Sequence, residues 1–143
     1  MMVQPSRPED VAALAELRVA AMKESLEAVG RFDPNRARER FLSGYNHEKT
    51  KKVLLEGELV GFYVLLDKTD HFYLDHLYIH PSFQCKQLGS QLMERIKAFA
   101  ADAGLSIRLG ALKESRSNDF YQSHGFVKTH EEAFDNYYEL PSP

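Results

Sequence analysis

The chain has 143 residues, which fits one domain and buries roughly two-thirds of its unfolded surface. It is 43% hydrophobic and 27% charged, with a formal net charge of -3, an ordinary globular composition with no basic field for general nucleic-acid binding. Cys85, the single cysteine, has no intramolecular disulfide partner, no CxxC or His/Cys cluster suggests zinc, and no apolar run approaches the ~18 residues of a membrane helix. The opening "MMVQPSRPED" lacks the apolar core of a secretory signal, so a reducing cytoplasm is the default compartment.

"MVQPS" reads as a short edge strand, because Pro5 sits poorly in a central one. "EDVAALAELRVAAMKESLEAVG" follows as a helix. Val11, Leu14, Leu17, Ala21 and Met22 recur at helical spacing, Ser6 or Arg7 leads into Pro8, and Gly30 follows the end. "DPNRARERFLSG" is a second, shorter helix, with Asp33 as N-cap, Pro34 at the first position and Gly44 after the end. In "KKVLLEGELVGFYVLLD", two apolar runs flank Glu56-Gly57, a hairpin signal. "HFYLDHLYI" is a third strand of this meander, stopped by Pro81.

"QLGSQLMERIKAFAADAG" is an amphipathic helix, with Leu88, Leu92, Ile96 and Phe99 on one face and Gly104 at its end. "LSIRLGAL" is a buried strand. "SRSNDFYQSHG" is a short helix with Ser115 or Ser117 as cap and Gly125 as stop. "FVKTHEEAFDNYYEL" supplies a last strand or hairpin. The order β-α-α-β-β-β-α-β-α-β predicts a mixed α/β (α+β) fold: a mostly antiparallel sheet with helices on its faces and one βαβ-like crossover.

The stretch "HPSFQCKQLGSQLM" places a strand exit against a helix start. Free N–H groups and the helix dipole favour an anion there. Gln84, Cys85, Lys86, Gln87, Leu88, Gly89 and Ser90 offer successive backbone donors, Lys86 a charge and Ser90 a hydroxyl. Most strand-to-helix junctions nevertheless bind nothing. Gly89 is the only glycine, and Gln87 stands where a second would be expected.

The strand–"HPSFQCKQLGS"–helix unit, followed by "FYQSHGF", resembles the GNAT superfamily of acyl-CoA-dependent N-acetyltransferases. The resemblance covers nearly the whole chain: two N-terminal helices, meander, loop and a C-terminal "FYxxxGF" come in family order, as a single domain over residues 1–143. In the family the loop reads Gln/Arg-x-x-Gly-x-Gly/Ala. Gln84 opens it, Gly89 closes it, and Gln87 replaces the first glycine. A glycine is needed there for a positive φ or for close approach of phosphate. A first helical turn has negative φ, so close approach is the expected reason, and the Gln87 N–H stays available.

The resemblance implies further roles. The strand before the loop splays from the next parallel strand, acetyl-CoA lies in the gap, and a backbone N–H among Leu77, Tyr78 and Ile79 serves the thioester carbonyl. Tyr121 matches the family tyrosine that protonates the leaving thiolate; the alternative is a core aromatic beside Phe120 and Phe126. The family's Asn seven residues before the tyrosine is Glu114, and the small residue four before it is Ser117, so Asn118 is the candidate for a cofactor contact. Phe120 belongs to the same cofactor-binding set.

A base for the amine is expected on "HFYLDHLYI". Tyr73 and Asp75 share one face by alternation and match the family's base positions, whereas His76 points the other way unless a bulge intervenes. Asp75 is the first choice and Tyr73 the second, with a water relay or a raised pKa needed for Asp75. No metal is required. Glu27, Asp33, Glu131, Glu132 and Asp135 could attract a cationic amine or form a solvated face; Tyr45, Tyr137 and Tyr138 could line a pocket or pack. The reaction expected is acetyl transfer to a primary amine of a small molecule or peptide in a ternary complex. The alternative is a catalytically lapsed CoA-binding or protein-interaction module. Family members often pair through C-terminal strands, so the resemblance allows a homodimer.

Overall fold

The computed structural model describes the backbone of residues 1–143 and every side chain except those of Cys85 and Lys86. Its regular elements are β1 (Met2–Pro5), α1 (Val11–Ala28), α2 (Pro34–Gly44), β2 (Thr50–Leu55), β3 (Glu58–Asp67), β4 (His71–Ile79), α3 (Leu88–Ala103), β5 (Ser106–Leu112), α4 (Ser117–Ser123), β6 (Val127–Glu131) and β7 (Asp135–Leu140). Short 3₁₀ turns occupy Pro8–Asp10, His47–Lys49 and Pro81–Lys86. The last segment is thus a hairpin. The strands form a seven-stranded, mostly antiparallel sheet in the order β1-β2-β3-β4-β5-β7-β6, with β4 and β5 parallel. The chain divides into two compact units, Met1–Val64 with His76–Gly89, and Leu65–Asp75 with Ser90–Pro143.

In the first unit β1 lies on the edge, pairing Met2 with Leu54 and Pro5 with Lys51, where a proline costs no central ladder bond. The β2–β3 turn uses Glu56 and Gly57 at φ 51° and 81°, the two positive values that a tight two-residue hairpin needs. Asp33 caps α2, its carboxylate accepting from the N–H groups of Asn35 (3.0 Å) and Arg36 (3.2 Å). Leu14, Val53, Val60 and Phe62 are fully buried; a side chain such as Phe62 stabilises the fold by about 1.5–3 kcal/mol through burial. The buried stripe of α1 is Leu14, Ala15, Leu17 and Arg18, so it includes one charged residue.

In the second unit the parallel ladder pairs His71, Phe72 and Tyr73 with Ser106, Ile107 and Arg108. On its other side β5 pairs with β7 along its length, from Ile107↔Leu140 to Leu112↔Asp135, and β6 closes the sheet against β7. Helix α3 buries Leu92, Met93, Ile96 and Ala100. Phe99, expected on that face, is 59% exposed: the face continues four residues from Ile96 to Ala100, and Phe99 sits at its margin, its ring 5.4 Å from that of Phe72. The cap of α4 also differs from expectation. Arg116 occupies the N-cap position without a side-chain cap bond; Ser117 is inside the helix, and Ser115 Oγ accepts from the Ser117 N–H at 3.1 Å.

Candidate active site

The segment leaving β4 is held by short local bonds. The His80 N–H donates to the Val60 carbonyl at 2.8 Å, His80 Nδ1 accepts from the Ser82 N–H at 3.1 Å, and Gln84 Nε2 donates to the Ile79 carbonyl at 3.1 Å. Upstream, a Cβ on Gly61 would fall 2.6 Å from the Tyr78 carbonyl oxygen and 2.7 Å from Ile79 Cδ1. Only glycine lets β3 lie that close to Tyr78 and Ile79.

Gln87 ends the 3₁₀ turn in the left-handed conformation, at φ 59° and ψ 18°. This corrects the expectation of a negative φ: α3 begins at Leu88, so Gln87 precedes the helix. A glycine would therefore be favoured here by conformation itself, and glutamine holds the position at a cost of about 1–2 kcal/mol. The first N–H groups of α3, from Leu88, Gly89 and Ser90, have no acceptor within the helix, and the helix dipole adds partial positive charge. Leu88 is buried, so only its backbone is available. The side-chain roles expected for Cys85 and Lys86 lie outside the described residues.

Within the second unit, Ser90 Oγ lies 3.3 Å from His124 Nε2, and His124 Nδ1 lies 3.1 Å from Glu94 Oε1. The His124 ring packs on Phe120 with centroids 4.8 Å apart. The Glu94 carboxyl is held below its ordinary range, first by the hydrogen bond from Lys97 and that residue's charge, and less by His124.

Tyr121 is buried and contacts Phe120, Phe126 and Tyr138 at ring-centroid distances of 5.5, 5.7 and 6.3 Å. The packing expected of a core aromatic is therefore present, and it fixes the ring's direction. Asn118 is saturated: Nδ2 donates to the carbonyls of Leu112 (3.0 Å) and Ser115 (2.8 Å), and Oδ1 accepts from Asn136 Nδ2 (3.1 Å) and Tyr138 Oη (2.8 Å). The Ser117 hydroxyl meets that of Ser115 at 2.8 Å.

Tyr73 is half-buried and Asp75 is exposed. The Tyr73 hydroxyl would lie 3.5 Å from a Cβ on Gly110, and the Tyr137 ring would lie 2.9 Å from it, so Gly110 provides the space between the two phenols. Burial pushes the Tyr73 phenol above its ordinary pKa, and the charges of Tyr137, Asp75, Asp135 and Glu132 add to the rise. The acidic residues expected to attract an amine thus divide. Asp33 is committed to a helix cap, Glu131 pairs with Lys113 and Lys128, and Glu132 and Asp135 remain near Tyr73. Of the tyrosines weighed for a pocket, Tyr138 serves Asn118, and Tyr45 donates to the Arg7 carbonyl at 2.6 Å.

In the first unit, His76 meets Phe41 edge-on at 5.5 Å, and its Nδ1 lies 3.3 Å from Tyr78 Oη. Tyr78 Oη also lies 3.4 Å from Met22 Sδ. Arg18 stands over the same Tyr78 ring, 5.9 Å from its centroid. Sequence reasoning passed over Arg18, although a single arginine within the Leu14–Leu17–Ala21 stripe is the signal that finds it. A groove of about 310 Å³ lined by Lys97, Ala101, Leu105, Leu140 and Pro141 contains none of the candidate residues. Among the described residues no cluster of three or more His, Cys, Asp or Glu is placed to hold a metal, and no helix is long and apolar enough to cross a membrane.

The profile of the acetyltransferase (GNAT) domain matches residues 48–128. No curated protein sequence matches the chain. Among solved structures, the PaiA N-acetyltransferase of Thermoplasma acidophilum, in complex with coenzyme A, superposes with a TM-score of 0.82 at 18% identity, over 98% of this chain and 98% of that one. An acetyltransferase of Thermus thermophilus gives 0.76 at 19% identity, over 98% and 96%. The ribosomal-protein-S18-alanine N-acetyltransferase of Escherichia coli gives 0.74 at 17% identity, over 99% and 93%. At these identities the likeness is one of fold.

Proposed function

The chain belongs to the GNAT acetyltransferase family, whose acyl donor is acetyl-CoA, and from that premise we propose that it transfers the acetyl group to a primary amine of a small molecule or peptide, by direct attack in a ternary complex. We propose that residues 1–143 act as one such domain. The observation that carries the reading is the junction after β4: a left-handed Gln87 directly before the start of α3, whose first N–H groups have no acceptor within the helix. Successive backbone donors at a helix N-terminus suit a pyrophosphate, and these residues fit coenzyme A in that respect. Gln84, Gln87, Leu88, Gly89 and Ser90 would hold the phosphates, with Cys85 and Lys86 in the same loop. Bound acetyl-CoA supplies the activated acyl group.

The chain's own groups do the rest. A backbone N–H among Leu77, Tyr78 and Ile79 would stabilise negative charge on the thioester oxygen, and Gly61 keeps β3 close to the Tyr78–Ile79 backbone. Asp75, directly or through water, would take the proton of the amine. Tyr73, whose pKa is raised, keeps its proton near neutrality and would donate a hydrogen bond. The Tyr121 hydroxyl would return a proton to the leaving sulfur. Ser117, Asn118 and Phe120 would shape that end of the site, Asn118 by holding the β5 exit and the Tyr138 hydroxyl in place. Glu132 and Asp135 favour a cationic amine.

The test is calorimetric titration with acetyl-CoA followed by thiol-release assays over a panel of primary amines. Saturable binding with turnover on at least one amine is expected. Binding without turnover on any amine would overturn the transferase reading in favour of a lapsed cofactor-binding module, a reading that the strained Gln87 favours. No binding would remove both.

A further inference from the structure

Arg18 is only 5% exposed. Its Nη1 donates to the Ala37 carbonyl on α2, its guanidinium faces the Tyr78 ring, and its Nε is buried without a hydrogen-bond acceptor. No carboxylate among the described residues forms an ion pair with it. A guanidinium keeps its charge inside a protein, and a buried charge calls for an opposite one. A carbonyl and an aromatic face compensate only in part. The surroundings are not sealed from solvent: Met22, His76 and Tyr78 are all partly exposed, and Tyr78 Oη stands between Met22 Sδ and His76 Nδ1. One cation aimed among mainly apolar and aromatic groups is how small-molecule sites fix an anionic end. The planar fork of arginine suits a carboxylate.

We propose that Arg18 binds a carboxylate of the acceptor, so that the substrate is a small amino-carboxylate rather than a simple amine. The proposal rests on the transferase reading, because Tyr78 lies in the backbone stretch assigned there to the thioester. In that reading the tyrosine that Arg18 faces and the oxyanion donor belong to the same short stretch of β4. An amine and a carboxylate on one short skeleton satisfy both ends.

The experiment compares matched acceptors, lysine against cadaverine and 4-aminobutyrate against butylamine, with wild type, Arg18→Lys and Arg18→Met. Wild type should favour the carboxylate member of at least one pair by tenfold or more in kcat/KM. Arg18→Met should bring that ratio to about one, and Arg18→Lys should fall between. A merely structural role would lower both members of a pair together. Glutarate should raise the wild-type Tm and leave that of Arg18→Met unmoved, a readout independent of turnover. If Arg18→Met does not fold, the wild-type ratios and the glutarate shift decide. Equal rates within both pairs and no glutarate shift overturn the proposal, as does a preference retained in folded Arg18→Met. Turnover of no amine at all, with a glutarate shift lost in Arg18→Met, refutes the transferase reading and leaves the anion subsite standing.

Discussion

The side-chain amide of Gln84 donates to the carbonyl of Ile79 across 3.1 Å, tying the loop to the last residue of β4. If that loop cradles phosphate, its position depends on this bond, since a preorganised site gains affinity by avoiding the cost of ordering. Gln84→Ala should raise the acetyl-CoA Kd about fivefold, equivalent to ~1 kcal/mol for one hydrogen bond, with little change in Tm. Titration calorimetry reads this directly. An unaltered Kd would mean that other contacts hold the loop.

The left-handed Gln87 makes the opposite prediction. Gln87→Gly removes a backbone penalty of about 1–2 kcal/mol but gives back part of it as unfolded-chain entropy. The net should be a gain of up to about 1 kcal/mol by chemical denaturation, together with equal or tighter acetyl-CoA binding. A loss of stability would show that the Gln87 side chain contributes more than its conformation costs.

Asn118 joins the β5 exit, α4 and β7 through four hydrogen bonds. Asn118→Ala deprives the Tyr138 hydroxyl and the Asn136 amide of their acceptor, while the Leu112 and Ser115 carbonyls keep the N–H groups of Ser115 and Asn118; orphaned part-buried polar groups cost roughly 1–3 kcal/mol each. A loss of about 2–4 kcal/mol is expected by denaturant melts. Asn118→Asp should be nearly as damaging, because a carboxylate cannot donate to Leu112 and Ser115.

Most of the fold is legible in the sequence, and particular residues show where it stops. Asp33, the Glu56-Gly57 turn and the β4 boundaries are fixed by local chemistry, and the structure carries all three. Phe99 fails because a helix face drifts, and positions three and four residues on compete for it. Gln87 fails because the 3₁₀ turn that delays the start of α3 leaves no periodic signal. Arg18 was hidden because a lone cation on an apolar stripe reads as a surface residue until α2 and the Tyr78 ring are seen to cover it. The engagement of Asn118 depends on Tyr138, twenty residues away, which no spacing rule reveals.

Tyr73 gives a pH prediction with a definite sign. Burial, first, and the neighbouring negative groups raise its pKa in the folded chain. The folded state therefore favours the neutral phenol. The resulting stability is fully present below the unfolded pKa, near 10, and is lost as pH rises through the higher folded value. Denaturant melts of wild type should lose stability from about pH 10 upward. Tyr73→Phe should lose less over the same range, and the difference isolates Tyr73 from Tyr45, whose pKa burial also raises. Parallel curves would mean that the Tyr73 phenol is better solvated than its half-buried position implies.

Tyr121 separates packing from chemistry. Its ring contacts with Phe120, Phe126 and Tyr138 survive replacement by phenylalanine, so Tyr121→Phe should hold Tm within a few degrees and leave the acetyl-CoA Kd within about twofold. If the hydroxyl protonates the leaving sulfur, kcat should fall by roughly 10²-fold, and KM for the amine should hardly move, because the lost interaction belongs to the transition state. A thiol such as coenzyme A leaves more readily than an alkoxide, so the fall belongs at the lower end of the range for general acids. A kcat unchanged within threefold would reduce Tyr121 to a packing residue. A rise in KM with kcat intact would make it a binding group instead.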